Sequence, residues 1–119
     1  MYRRQDRIQT LIRDELSYLL QREVKDPRLE FVTITRVKVS KDLQHAMIFV
    51  SVLGDEERKK EAMKGLASAA GFFKREIGSR IRLRIVPEIT FRYDDSIEGL
   101  ARVHKLLSEI GSDEREEEI

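Results

Sequence analysis

The chain has 119 residues, 40% of them hydrophobic, enough for one domain with its own core and too many for a chain disordered throughout. It has no cysteine, which excludes disulfides, thiolate metal sites and thiol catalysis. Charged residues reach 38%, yet 23 Lys and Arg against 22 Asp and Glu leave a formal net charge of only +1.

Arg3 to Val24 is predicted to be an amphipathic helix, because Ile8, Leu11, Ile12, Leu16 and Leu19 recur at the helical period. It must stop before Asp26-Pro27, since proline disfavours a helical conformation in the residue ahead of it. Phe31 to Ser40 is β-branched and alternating, the pattern of a strand. The alternation slips: Val32 and Ile34 share one phase, Val37 and Val39 the other, so a bulge is expected near Thr35-Arg36. Ser40-Lys41-Asp42-Leu43 suits a hairpin turn. Gln44 to Leu53 is the second strand, apolar on both sides and therefore expected to be covered, at least in part, on both faces.

Asp55 is the expected N-cap of the next helix, with Glu56 and Glu57 in its first turn. That helix runs into the small residues Ala67-Ser68-Ala69-Ala70-Gly71, after which Ala70, Phe73, Ile77 and Ile81 form a new stripe. Glycine in mid-helix costs about 1 kcal/mol, so two helices joined by a kink at Ala69, Ala70 and Gly71 are predicted rather than one straight helix. Arg80 to Ile85 fits a strand as well as a continued helix, and Pro87 ends it either way. Glu88 to Tyr93 alternates as a strand, Ser96 to Ile110 is a last helix, and Gly111 is its stop. The order α-β-β-α-α-β-α makes an α+β domain with a small sheet over residues 1–111, followed by a disordered acidic tail, 112–119. No apolar run approaches the ~20 residues of a membrane span. No apolar signal segment follows Met1 to Asp6, and no heptad seam is present, so a cytoplasmic monomer is expected.

The near-zero charge hides an asymmetry. Ser112 to Ile119 holds five acidic residues and one basic, which leaves the body at 22 basic against 17 acidic, net +5. Leu66 to Val86 alone is net +4. Such a patch points to a polyanionic partner. On a helical wheel Gly71, Arg75, Gly78 and Arg82 share a face, with Lys74 at its edge, and glycines between cations let a phosphate backbone approach closely. The bland alternative, a solvated face weakened by two glycines, is the less economical one. Arg3, Arg4 and Arg7 form a second cluster; Arg80, Arg82 and Arg84 extend the first as a comb if that stretch is extended; Lys38 and Lys41 sit at the hairpin.

Catalytic chemistry finds little support. His45 and His104 have no His or Cys partner at metal-ligand spacing, no phosphate loop is present, and no metal or cofactor is expected. Asp94-Asp95-Ser96 lies where a helix cap belongs, Asp95 or Ser96 being the cap; the rival reading is a small hydrolase using Asp94 or Asp95 with His104. A protein-interaction module whose acidic tail docks a basic partner is a further alternative. The aromatics do not form a stacking platform, so recognition of folded RNA by shape and phosphate fits better than sequence reading.

The helix-helix junction with RNA-binding potential resembles the KH fold, with Ala69-Ala70-Gly71 where KH domains carry a GXXG loop. Several stretches, in order, resemble the ribosome-binding factor A family. These are Val24 to Leu29, Val37 to Leu43, Ala69 to Phe72, Arg82 to Phe91 and Asp94-Asp95-Ser96, within a likeness that spans Arg3 to Leu107. Glu30 departs from the glycine common in that family after Asp-Pro-Arg-Leu. The resemblance implies a type II KH-like fold with a helix-kink-helix. It implies a non-enzymatic assembly factor on free small (30S) ribosomal subunits, acting in late maturation and processing of 16S rRNA. It further implies importance in the cold and release with help from a GTPase, with no membrane or DNA partner. The alternative is a generic KH-like module for structured RNA. The contact residues are inferred from charge and phase: Lys74, Arg75, Arg80, Arg82 and Arg84, then Arg3, Arg4, Arg7 and Lys38.

Overall fold

A computed structural model describes residues 4–95 of the chain. The first helix, α1, spans Arg4–Arg22 and buries Ile8, Ile12, Leu16 and Leu19. Leu11, expected on that stripe, is instead 42% exposed. At 100° per residue it lies about 140° from Leu16, too far round to share one buried face. Asp26 accepts a hydrogen bond from the Arg28 backbone N–H (3.0 Å) and so caps a short 3₁₀ turn, Pro27–Leu29. Proline sits at the start of that turn, where its missing N–H costs nothing.

Strands β1 (Val32–Val39) and β2 (His45–Val52) pair antiparallel, and the register shifts between Ile34 and Arg36. The extra residue is Thr35, so the expected bulge is present and returns Val37 and Val39 to the face used by Ile34. In the turn, Asp42 accepts from the Ser40 hydroxyl (2.6 Å) and from the Gln44 N–H (3.1 Å). Leu43 closes the turn at φ +62°, a left-handed conformation that costs a branched side chain roughly 1–2 kcal/mol.

Asp55 caps the second helix as expected, accepting from the Arg58 N–H at 2.8 Å. The predicted pair of kinked helices is corrected: a single helix, α2, runs unbroken over Glu56–Arg80. Ala69, Ala70 and Gly71 lie within it. A glycine's cost of about 1 kcal/mol is small beside anchorage on both sides, each large buried apolar side chain contributing about 1.5–3 kcal/mol. Leu66 is buried before Gly71, Phe73 and Ile77 after it.

The segment 81–87 is neither helix nor strand. Ile81 ends α2 in an extended conformation, and Pro87 is fully buried. Strand β3 (Glu88–Tyr93) then pairs parallel to β2, giving the sheet order β1-β2-β3. A parallel partner needs a long crossover, which α2 supplies. Both helices cover one face of the sheet, α1 over β1 and α2 over β3. Phe73 sits at the centre, edge-on to Phe72 (5.6 Å) and Phe91 (5.5 Å). On the other face Met47 and Phe49 are half-buried, so β2 is partly covered on both sides. The last helix over Ser96 to Ile110 and the acidic tail, as expected from sequence, lie outside the described residues.

Candidate nucleic-acid interface

Three separate segments meet at one end of the molecule: the start of α1, the β1–β2 turn and the segment 81–87. Between them is a hollow of about 310 Å³. Its floor is apolar, with Ile8 and Pro87 buried and Leu43 and Leu83 half-buried. Ile85, at the mouth, is 49% exposed. Arg4, Lys41 and Arg84 line the same hollow, all exposed, and among the described residues no carboxylate pairs with them. The one acid there, Asp42, is held by the Ser40 hydroxyl and the Gln44 N–H, and these bonds hold its carboxyl below the usual carboxylate range. Three cations against one carboxylate leave the hollow with net positive charge above an apolar floor.

The structure brings together only part of the predicted set. Arg4 and Arg84, far apart in sequence, meet here with Lys41. Arg3 lies outside the described residues. Arg7 is exposed on α1, and Lys38 is exposed on the far face of the sheet, opposite Met47. Arg75 is exposed on α2. Arg82 is exposed too, but α2 has ended two residues earlier, so it does not share a helical face with Gly71, Arg75 and Gly78.

Two predicted cations are engaged within the fold. Lys74 donates to Glu88, and that bond holds the Glu88 carboxyl below its usual range. Arg80 joins Glu76 (3.2 Å), Glu23 (3.6 Å) and Glu15 (4.0 Å) and lies over the Tyr18 ring at 5.3 Å. Its guanidinium is held above its usual range, chiefly by the bond to Glu76. Gly78 also has a structural purpose, since a Cβ there would come within 3.1 Å of Val86, whereas one at Gly71 would meet nothing.

Arg36 and Arg92, exposed cations outside the predicted set, gather around Phe49 on the sheet. Arg36 stacks on the Phe49 ring at 4.0 Å, and Arg92 is the β3 register partner of Phe49. The signal was there: alternation past the bulge puts Arg36 in phase with Lys38, and Arg92 lies between the inward Phe91 and Tyr93.

Of the two acids in the hydrolase reading, Asp95 is exposed and Asp94 is committed to the fold. Asp94 is only 3% exposed and accepts from the Thr35 hydroxyl at 2.5 Å, which makes it a buried tie between β3 and the bulge. Its proposed partner His104 lies outside the described residues. Among the described residues, no group of three or more His, Asp or Glu is placed to hold a metal. No helix there is long and apolar enough to cross a membrane.

The class these features define is a small α+β domain: a three-stranded sheet backed by two helices, with a cationic hollow at one end. The chain belongs to the ribosome-binding factor A family, whose family description, "Ribosome-binding factor A", matches residues 4–107. It is 52% identical to the ribosome-binding factor A of Dictyoglomus thermophilum over 98% of both chains. The Geobacter metallireducens protein of that name is 48% identical, over 96% of this chain and 97% of its own. Among solved structures, the crystal structure of ribosome-binding factor A from Thermus thermophilus superposes with a TM-score of 0.67 at 25% identity, covering 75% of this chain and 93% of that one.

Proposed function

We propose that the chain binds free small (30S) ribosomal subunits through phosphate-backbone contacts. There it assists late maturation and processing of 16S rRNA without catalysing a reaction. Membership of a family named for ribosome binding carries this reading. Supporting it, cations from three segments converge without carboxylate ion-pair partners among the described residues, the arrangement a polyanion selects. A KH-like domain of type II is the fold reading that goes with it, supported by the αββαβ order and by β3 lying parallel to β2. In this proposal the protein acts as a cytoplasmic monomer, matters most in the cold, and is displaced with help from a GTPase. Its RNA contacts are Arg4, Arg7, Arg75, Arg82 and Arg84, with Lys38, Lys41 and Arg3 beside them. The mechanism is electrostatic and steric: docking on phosphates holds immature rRNA in one arrangement until a later factor takes its place.

The test is sedimentation of the protein with small subunits, large subunits and joined ribosomes across a salt series. Selective, salt-sensitive binding to free small subunits is expected. Equal binding to every particle would reduce the protein to a generic structured-RNA module, and no binding would overturn the reading.

A further inference from the structure

We propose that the hollow between α1, the β1–β2 turn and segment 81–87 receives one unstacked RNA nucleotide. Its base would lie on the apolar floor and its flanking phosphates against Arg4, Lys41 and Arg84. The inference rests on the RNA-binding reading and adds the chemical class of ligand for a defined cavity.

Size, chemistry and backbone argue for it together. At about 310 Å³ the hollow is at the small end of ligand pockets, room for a nucleotide and not for a helix. A nucleotide is itself divided in this way, a flat base that prefers an apolar surface and a phosphate that prefers guanidinium. The floor is apolar, yet Ile85 at its mouth stays 49% exposed, an apolar surface left open beside three cations that no carboxylate pairs among the described residues. Charge complementarity therefore selects an anionic ligand with an apolar face. Leu43 adds a further sign. A left-handed turn position is cheapest for glycine or asparagine, but here a leucine holds φ +62° and lines the hollow. Asp42, the one acid lining the hollow, stays ionised with its oxygens turned to the Ser40 hydroxyl and the Gln44 N–H, and the three cations outnumber it.

The experiment uses a short RNA hairpin with a single bulged fluorescent adenine analogue, the same hairpin fully paired, and purified small subunits. The bulged hairpin should bind more tightly than the paired one, with a change in the analogue's emission. Ile85→Ser should erase that difference and weaken small-subunit binding about tenfold, in line with the apolar surface it removes. Ile85→Val should keep both. Because Ile85 is half exposed, the serine variant is expected to fold, and its circular dichroism melt checks that. Equal affinity for the two hairpins, or small-subunit binding indifferent to Ile85→Ser, would overturn the nucleotide pocket and leave the RNA reading standing. So would Ile85-dependent binding of a short acidic peptide in place of the bulged hairpin. Failure to bind any RNA or small subunit would overturn both.

Discussion

At the residue scale, the tie between Thr35 and Asp94 joins two buried polar side chains. Thr35 is the bulge residue, buried, and its hydroxyl faces both the Phe49 carbonyl (3.2 Å) and Asp94 (2.5 Å). Thr35→Val keeps the shape and removes the donor, leaving a buried carboxylate short of a hydrogen bond. Urea unfolding should show a loss of about 1–3 kcal/mol, the cost of one such unmade bond. Exposed carboxylates act differently, through pH. Asp26, Asp42 and Glu88 are each held below the usual range, by Arg28, Ser40 and Lys74 respectively as the largest cause. A depressed folded-state value means stabilisation that is complete above the ordinary carboxylate values and lost as pH falls through the folded ones, from roughly pH 4 downward. Melting temperature should therefore hold steady near neutrality and drop in that window, and Glu88→Gln should drop less steeply than the wild type because it has one such group fewer. A steeper fall in the variant would contradict the assignment.

At the scale of elements, most of the fold was legible, because each piece depended on local rules. The slipped alternation around Thr35, the Ser40–Leu43 turn and the Asp55 cap all follow from a few adjacent residues. The division into two helices fails because helix breaking is a local rule while α2 is held by packing on both sides of Gly71. Arg80 to Ile85, which fits a strand as well as a continued helix by sequence, is neither beyond the helix end at Arg80. Its alternating arginines mimic a strand, but the segment pairs with no strand of the sheet β1-β2-β3 and instead leads from the end of α2 to the buried Pro87 ahead of β3. The continuous helix makes a prediction. A methyl group at Gly71 meets nothing, so Gly71→Ala should raise stability by roughly 0.5–1 kcal/mol, the helical cost of glycine. Gly65 sits in the same helix, but its Cβ would stand 3.0 Å from Leu29, a buried core residue that has little room to yield. Gly65→Ala should therefore fail to stabilise, and parallel thermal melts of the two variants check the contrast. A destabilised Gly71→Ala would mean that α2 needs its glycine for a bend.

At the scale of the whole molecule, the candidate site was only half legible. Sequence shows which residues are cationic; it does not show which cations the fold has already paired. Lys74 and Arg80 carried the same signal as Arg75 and Arg84, yet Glu88, fourteen residues on from Lys74, occupies one, and Glu15 of the first helix and Glu23 just beyond its end share the other with Glu76. Nor could spacing bring Arg4 to Arg84, since that meeting depends on where α1 and segment 81–87 end up around the turn. The same partition separates affinity from stability in experiment. In small-subunit binding across a salt series, Arg4→Ala with Arg84→Ala should lower the log-log slope by about 0.7–0.9 for each phosphate no longer neutralised, with little change in melting temperature. Arg80→Ala should do the reverse. It leaves Glu15, Glu23 and Glu76 facing one another, so stability should fall by about 1 kcal/mol, at the upper end for partly exposed pairs, while the slope stays near the wild-type value. If Arg80→Ala flattened the slope as much as the Arg4 and Arg84 pair, the acidic cluster would not be holding that arginine away from RNA, and the interface would have to extend along the last turn of α2.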